Sequence, residues 1–540
     1  MGAAVSVPDR LSAAVLKTWL ASSEEEFAVL DVREESRFAA GHLLCASNAP
    51  LSHLEIDAPR LVPRKATPVV LCSDGGDGLA ERAAEVLETC GYSQVFVLET
   101  GLAGCEAAGL LLFSGLTTPS KVLAAFIQRE LKIERIEPED LAHQLECGSG
   151  VAVVDCRPSA EFSKGTIPGA VNLPSGDLGR FTRMIACTHT LVMTCAGRSR
   201  GLTGAQILRD LAIPGTVLAL NGGTMGWELS GRQRKPGQEQ SRQLDQPSVE
   251  LLSRAEHIRQ FAGIQRLNVP ELKHLLGDSE RTAICFDVRS KAEYEAGHIA
   301  GARHVSGGQL IHNIDRQIAT RNARLVLCDD DGIRATTIAL MLKRLGWDSV
   351  FVAALDRDMQ GTGESKASTS GAVPVAARAV SPGDLHQLLA ENAAVVIDLE
   401  TSRTYRSGHV PGAWFAKRYR LGEAIEHFAG QSTIVLNSED GRLASYAAEE
   451  FLSEGQDVRV LRGGTKAWQA AGHPLAIGLD HMIHEPDDVA LKPSELAEGP
   501  ERLAAMEAYL GDPDELLDKA LRDGSLNLRA YPIPGRNETP

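Results

Sequence analysis

The chain has 540 residues, 43% of them hydrophobic, and a formal net charge of −16 at pH 7. This length predicts about three to five folding units, and the acidic balance argues against a nucleic-acid partner, which requires a basic face. No apolar run approaches the roughly 18 residues that span a bilayer, and ten cysteines without a C-x-x-C pair indicate neither a disulfide framework nor a zinc site, so we expect a cytoplasmic protein with reduced thiols and no metal or cofactor.

One order of features occurs four times along the chain. Each copy begins with an apolar run that ends in an acid, namely Asp31, Asp155, Asp287 or Asp398. A glycine turn follows within ten residues, then a second apolar run, a helical stretch rich in Ala and Leu, and another short strand. Alternating β-branched runs and helices predict a parallel sheet covered by helices. Since the acids lie about 110 to 130 residues apart, each copy is predicted to be a whole domain.

Domain boundaries are predicted near residues 116, 243 and 376, the last within the Gly/Ser/Ala-rich segment 361–377. The domains are therefore 1–116, 117–243, 244–376 and 377–475. Residues 476–540 carry no further copy. Two segments there, ERLAAMEAYL and DELLDKAL, predict helices that pack back on the last pair of domains.

The second copy carries the most complete set of short motifs. It has Asp155 and Arg157 as D-x-R, E-F at 161, GTIPGA from 165, and C-x-x-x-x-R from Cys195 to Arg200. This order resembles the rhodanese family of sulfurtransferases, and the resemblance extends over about 475 residues as four tandem rhodanese-like domains. It implies an α/β fold and a loop cysteine that accepts a sulfane sulfur as a persulfide and passes it to cyanide or a thiol.

The resemblance also implies that Asp155 and Arg157 lie at the end of the neighbouring strand, where they fix the loop and line the pocket rim. A strand-end ion pair that only stabilises the fold is an equally good interpretation, because Asp31 and Asp287 belong to the same D-x-R motif.

The loops can be aligned by counting back 17 residues from the small residue that follows the next helix. This count places Cys195, Asp329 and Ser438 at the catalytic position of the last three domains. In the first domain it places Asp74 there, and Cys72 reaches the position only if that loop is two residues longer. Cys328 is interpreted as the last residue of its strand.

Charge favours the second loop as well. Residues 178–209 contain five arginines and no acid, namely Arg180, Arg183, Arg198, Arg200 and Arg209, whereas the other three loops are acidic. An acidic loop raises the pKa of a cysteine and repels an anionic donor. We therefore predict that the second domain alone is catalytic, with Arg180 and Arg183 guiding the donor.

The string CAGRSRG suits a thiolate nucleophile. Its small residues Ala196, Gly197, Ser199 and Gly201 allow a tight curl that turns backbone N–H groups inward at the start of a helix. Arg198 and Arg200 add full charges. This cradle is predicted to stabilise first the Cys195 thiolate and then the persulfide anion.

Two other functions fit parts of the sequence. Phosphatases and arsenate reductases use C-x5-R loops, but position 201 is glycine and the arginine falls one residue earlier. A binding or regulatory scaffold with four non-catalytic domains is the other alternative, since three loops are degenerate; these repeats could instead shape the active site at domain interfaces. Thiosulfate is the favoured donor, followed by a glutathione persulfide and then mercaptopyruvate.

Overall fold

The computed structural model describes residues 8–21, 24–181, 190–238, 244–355, 360–361, 378–430, 433–451 and 457–533. Within these ranges, four five-stranded parallel sheets follow one another along the chain, one in each repeat. Helices cover the sheets, and the C-terminal segment is helical. The predicted fold class is therefore confirmed, while the predicted domain boundaries stay predictions.

All four sheets have the same strand order. Numbered along each domain, the strands lie in the order 1-5-4-2-3 across the sheet. The strands of the first domain are Asp9–Leu11, Ala28–Asp31, Ser47–Asn48, Val69–Cys72 and Val95–Leu98. Those of the second are Arg135–Ile136, Val151–Asp155, Val171–Asn172, Thr190–Thr194 and Thr216–Leu220. Those of the third are Gln265–Leu267, Ala283–Asp287, Arg303–His304, Arg324–Asp329 and Val350–Ala354, and those of the fourth are Ala379–Val380, Val395–Asp398, Trp414–Phe415, Ile434–Asn437 and Val458–Leu461.

The helices alternate with these strands. The first domain has Ala13–Ala21, Glu35–Ala40, Leu54–Leu61 and Leu79–Thr89, and Thr118–Glu130 leads into the second. The second domain has Pro138–Glu146, Ser159–Phe162, Ser199–Asp210 and Gly223–Leu229, with a 3-10 turn at Ser175–Arg180. The third has Val249–Phe261, Val269–Gly277, Lys291–Ala296, Gly307–His312, Ile314–Gln317 and Ile333–Arg344, and the fourth has Pro382–Ala390, Ser402–Ser407, Leu421–His427, Arg442–Phe451 and Gly464–Ala470. Among the described residues, the helices are all too short or too polar to cross a bilayer.

The second and third domains share one hydrophobic core. Leu178 and Leu202 of the second domain belong to the same buried cluster as Ile333 and Ile338 of the third. The two backbones also approach closely, because a Cβ added at Gly176 would lie only 2.8 Å from the Gly308 nitrogen. This interface therefore fixes the position of the third domain relative to the second.

The C-terminal helices Pro500–Leu510 and Pro513–Asp523 lie against the first and second domains. Leu517 of the latter helix packs on Val122 and Phe126, which form an apolar face of the helix Thr118–Glu130. The two tail helices themselves agree with the sequence prediction, but their expected position on the last pair of domains is wrong. The apolar face on which Leu517 packs belongs to the helix Thr118–Glu130, in the first half of the chain.

A buried arginine joins three parts of the molecule. The Arg344 side chain is fully buried and donates to both carboxylate oxygens of Asp210, from the second domain. It also donates to the backbone carbonyls of Ala530 and Tyr531 in the C-terminal segment, at 3.0 and 2.8 Å. The Asp210 carboxylate is buried and the two carbonyls belong to half-buried residues, so Arg344 ties the second domain, the third domain and the tail together.

Candidate active site

Cys195 lies between the central strand Thr190–Thr194 and the helix Ser199–Asp210 of the second domain. Only 2% of its surface is exposed. The carbonyl of Cys195 accepts a hydrogen bond from the Thr224 N–H at 2.7 Å, and the carbonyl of Ala196 accepts one from the Met225 N–H at 2.9 Å. The start of the helix Gly223–Leu229 therefore holds the loop from behind.

Gly223 makes this close approach possible. Its φ angle is +57°, and a Cβ added to it would lie 2.4 Å from the Cys195 carbonyl oxygen and 2.5 Å from that of Gly197. Any side chain would push the loop away. The glycine pair of the NGGTMGW motif thus has a direct role in positioning the cysteine, which the sequence analysis did not recognise.

The strand register aligns the four loops. The second strand of each domain ends in the repeated acid, which pairs with the last or penultimate residue of the central strand: Asp31 with Cys72, Asp155 with Thr194, Asp287 with Cys328, and Asp398 with Asn437. The residue after each partner is therefore equivalent, and these residues are Ser73, Cys195, Asp329 and Ser438. A thiol occurs at this position only in the second of the four aligned loops.

This alignment agrees with the counting prediction in the last three domains but not in the first. Ser73, rather than Asp74, lies at the equivalent position, because the first loop has two more residues before its helix begins at Leu79 and that helix is one residue shorter than Ser199–Asp210. Cys72 lies at the strand end, fully buried, and burial raises the pKa of its thiol well above the usual value. Cys72 therefore occupies the position of Thr194.

The degenerate loops show where their backbone N–H groups point. In the third domain, the Asp329 carboxylate accepts hydrogen bonds from the N–H groups of Gly332 at 2.7 Å and Ala335 at 3.1 Å. In the fourth, the Ser438 hydroxyl accepts from the Ala444 N–H at 3.3 Å. The loops thus direct N–H groups toward the side chain at the aligned position.

The corresponding N–H groups in the second domain, three and six residues after the cysteine, belong to Arg198 and Gly201. A Cβ at Gly201 would lie 3.3 Å from the Met193 carbonyl oxygen, so the small residue lets the helix start against the strand end. The helix has twelve residues and its N-terminal dipole adds to the positive potential at this point. This geometry favours an anion on the Cys195 side chain.

Arg200 is buried beside the loop and forms a bidentate ion pair with Glu161, at 2.7 and 2.8 Å. The charge of Glu161 outweighs burial and raises the pKa of Arg200 above its usual value. One of its nitrogens also lies 3.5 Å from the Gln309 side-chain oxygen of the third domain. Glu161 belongs to the E-F motif of the sequence, but its role as the partner of Arg200 was not predicted.

Asp155 and Arg157 form a buried staple. The Arg157 guanidinium donates to both Asp155 oxygens and to the Gly165 carbonyl at 2.7 Å, and the Thr166 hydroxyl donates to Asp155 at 2.6 Å. Arg33 and Arg289 make the same bonds in the first and third domains. Since those two loops lack an aligned cysteine, this recurrence favours the structural interpretation of the pair.

Arg180 does not have the position that the predicted role of guiding the donor requires. Its side chain is buried at the boundary with the third domain, where it pairs with Asp330 and Asp331 at 2.9 Å. A guanidinium already held by two carboxylates does not guide a donor. Arg183 lies outside the described residues.

The positive charge of the loop region is thus smaller than the sequence indicates. Acids from other elements neutralise Arg180 and Arg200, while the Arg209 guanidinium donates to two backbone carbonyls. Arg198 is different, since its hydrogen-bond acceptor is the Gly511 carbonyl of the tail at 3.2 Å. Arg198 lies within the loop itself, whereas Arg209 lies in the last turn of the helix Ser199–Asp210, so among these described arginines Arg198 is the one whose charge acts at the loop.

The tail and the helix Thr118–Glu130 complete the surroundings of the loop. A Cβ on Gly197 would lie 3.0 Å from the Tyr509 ring and 3.3 Å from Leu510, so the tail helix packs directly on the loop. The Lys121 ammonium lies 4.0 Å from the centroid of the Tyr509 ring. No signal in the sequence near Lys121 or Tyr509 marks them, because the contacts join segments hundreds of residues apart.

This combination defines a rhodanese-type site: a repeated parallel sheet, a strand–loop–helix turn at its carboxyl edge, and one cysteine within that turn. The rhodanese-like domain family matches residues 12–108, 137–230, 268–357 and 381–471, and the chain belongs to this family with four copies of the domain.

Three relatives show the extent of the likeness. The crystal structure of a thiosulfate sulfurtransferase from Pseudomonas aeruginosa is 34% identical, with a TM-score of 0.90 over 96% of this chain and 99% of that one. The thiosulfate sulfurtransferase GlpE of Pseudomonas fluorescens (strain SBW25) is 29% identical over 89 residues, which are 16% of this chain and 82% of GlpE. The uncharacterized protein YibN of Escherichia coli (strain K12) is 31% identical over 94 residues, 17% of this chain and 65% of YibN.

Proposed function

We propose that the protein is a sulfurtransferase that carries a sulfane sulfur on Cys195. The observation that carries this proposal is the alignment of the four loops. Cys195 occupies the position that Ser73, Asp329 and Ser438 occupy in the other three domains. The N–H groups of Arg198 and Gly201 are equivalent in sequence position to the two that bind the Asp329 carboxylate in the third domain, which supports an anionic side chain at Cys195. The first, third and fourth domains are then structural parts of a one-centre enzyme.

The reaction has two half-reactions that share one covalent form of the enzyme. The Cys195 thiol loses its proton to solvent, and the thiolate attacks the outer sulfur of thiosulfate. The S–S bond of thiosulfate breaks, sulfite leaves with its electron pair, and a cysteine persulfide anion remains. Cyanide then attacks the outer sulfur of the persulfide, forming thiocyanate and returning the thiolate; a thiol acceptor forms a new persulfide in the same way.

The loop stabilises the anion at each stage. The helix dipole and the N–H groups of Arg198 and Gly201 lower the energy of the thiolate and then of the persulfide. The Arg198 guanidinium adds a full positive charge close enough to Cys195 for the two side chains to interact electrostatically. The site needs no cofactor, because sulfur itself carries the electrons.

Thiosulfate is the proposed donor. The full-length relative from Pseudomonas aeruginosa carries that name, and the cationic surroundings of the loop suit an anion. A glutathione persulfide is the second choice and mercaptopyruvate the third. We place this chemistry in the cytoplasm, where the free thiols of the described cysteines stay reduced.

The test is steady-state sulfur transfer from thiosulfate to cyanide and to glutathione. We expect Cys195→Ser to lower the rate at least about 1,000-fold, as removal of a nucleophile does, and Cys72→Ser to keep it. Cys72 is the matched control, since it is a buried thiol at the end of the equivalent strand.

Mass spectrometry after incubation with thiosulfate gives an independent readout. We expect a peptide containing Cys195 to gain the mass of one sulfur atom, about 32 Da, and to lose it when cyanide is added. Full activity of Cys195→Ser would overturn the assignment. A wild-type protein that transfers no sulfur from any of the three donors would favour the non-catalytic scaffold.

A further inference from the structure

A cavity of about 210 Å³ lies beside the catalytic loop, where three separate parts of the chain meet. The first domain contributes Phe113, the helix Thr118–Glu130 that leads into the second domain contributes Lys121, the loop contributes Arg198 and Ser199, and the tail contributes Tyr509 and Leu510. Its walls are therefore provided mainly by segments outside the catalytic domain.

Three cations line this cavity, namely Lys121, Arg198 and Lys519, and the Lys519 ammonium lies 5.1 Å from the centroid of the Phe113 ring. Within the described ranges, no acid forms a salt bridge with Lys121 or with Arg198. The Nε of Arg198 is buried without a hydrogen-bond acceptor, and its terminal nitrogen reaches only the Gly511 carbonyl. Lys121 is half-buried and rests on the Tyr509 ring.

The positive charges of Lys121 and Arg198 repel each other across the cavity. Burial lowers the pKa of Lys121 to about 8, and repulsion from Arg198 contributes to the lowering. Burial also lowers the pKa of Arg198. Asp512 and Glu515 also line the cavity, and the charges of Asp512 and Asp514 partly oppose the effect of burial on the pKa of Arg198. The Asp512 carboxylate accepts hydrogen bonds from the N–H groups of Asp514 and Glu515, where it caps a tail helix. Partly buried cations of this kind gain most from an anionic ligand.

We propose that this cavity is the docking site of the anionic sulfur donor, and that Lys121 of the helix Thr118–Glu130 selects dianions such as thiosulfate. The inference rests on the proposed function. Lys121 and Arg198 would hold the sulfonate end of the donor, next to the loop that carries Cys195. Tyr509 contacts both Gly197 and Lys121, so it forms the wall that fixes the lysine relative to the loop.

Lys121 is therefore a specificity-determining residue supplied by the helix Thr118–Glu130, which precedes the residues 137–230 matched by the rhodanese-like domain. A single charged hydrogen bond to an anion is worth about tenfold in affinity or more. We expect Lys121→Met to raise the KM for thiosulfate at least tenfold while kcat changes less than about twofold. Lys121→Arg should keep KM within about threefold, because it restores the positive charge.

Lys273→Met is the matched control. Lys273 is an exposed lysine on the helix Val269–Gly277, far from the cavity-lining residues, so its loss should change neither constant. A melting curve for each variant shows whether it is folded at the assay temperature. If Lys121→Met is unfolded, Lys121→Arg replaces it. The KM values of Lys121→Arg and wild type are then compared for two donors, dianionic thiosulfate and a neutral organic trisulfide.

Calorimetric titration of the Cys195→Ser protein with thiosulfate separates this proposal from the proposed function, because it measures binding without turnover. We expect adding Lys121→Met to weaken binding of thiosulfate at least tenfold, and adding Lys273→Met to leave it unchanged. If Cys195→Ser retains activity, the function proposed above fails, but this titration still decides the role of Lys121. Equal affinity with and without Lys121, or weaker binding with an unchanged KM, would overturn the donor-site proposal.

Discussion

Gly223 offers a direct test of how the loop that carries Cys195 is held. A methyl group at this position would lie 2.4 Å from the Cys195 carbonyl oxygen, whereas real Cβ contacts stay above 3.0 Å. The loop in Gly223→Ala must therefore recede by at least about 0.6 Å, and displacements of about 1 Å at a reacting group cost up to 100-fold in rate. We expect sulfur transfer to fall about 10- to 100-fold.

Stability should fall too. An alanine at positive φ costs about 1–2 kcal/mol, and the backbone clash brings the expected loss to about 2–4 kcal/mol. Two controls separate these effects. Gly231 has a φ of +79° with open space around it, so Gly231→Ala should show only the conformational cost. Gly464 of the fourth domain repeats the clash, with its Cβ position 2.0 Å from the Ser438 carbonyl oxygen.

The assay combines melting curves with thiosulfate:cyanide activity measured well below the melting temperature. Gly464→Ala should destabilise the protein about as much as Gly223→Ala and yet keep its activity, since the fourth loop carries no thiol. Equal loss of activity in these two variants would refute the reasoning, because it would show that general destabilisation, and not displacement of the Cys195 loop, lowers the rate.

Two further predictions concern buried charges. Burial raises the pKa of Asp398 to about 7, so its stabilising contribution is full below about pH 4 and is lost as the pH rises to 7. At pH 8 the free energy of unfolding of Asp398→Asn should therefore exceed that of wild type by up to about 4 kcal/mol, and at pH 4 the two proteins should be equally stable. A difference in stability that does not change with pH would contradict this. Arg344→Met should cost about 3–5 kcal/mol in denaturant unfolding, because Asp210 is left buried without its partner. The exposed pair of Arg459 with Asp457 is its control, and Arg459→Met should cost under about 1 kcal/mol.

The repeat was predictable because local chemistry recurs in it. Asp155 and Arg157 bond within two residues of each other and to the glycine turn ten residues on, so one short string encodes the whole staple. The count that located Asp329 worked because the third loop has the same length as the second. It missed Ser73 because Gly75, Gly76 and Gly78, all at positive φ, form a longer turn there.

The surroundings of the cysteine could not be predicted in the same way. Arg180 is separated by 150 residues from Asp330, its ion-pair partner, and nothing in the pattern of charges shows which acid reaches which arginine. The place of the tail followed from the apolar face of the helix Thr118–Glu130, which reads in sequence as an ordinary amphipathic helix. Packing between domains decided both.

The contact between Arg198 and Gly511 has a consequence in time. These residues are 313 positions apart, and ribosomes add about 5–20 residues per second, so roughly 15–60 s separate the synthesis of the loop from that of the helix that covers it. The second domain emerges with its cysteine loop uncovered and without the tail residues that line the cavity beside it. Translation of the tail thus sets the moment at which the newborn chain completes the cavity that we propose binds the donor.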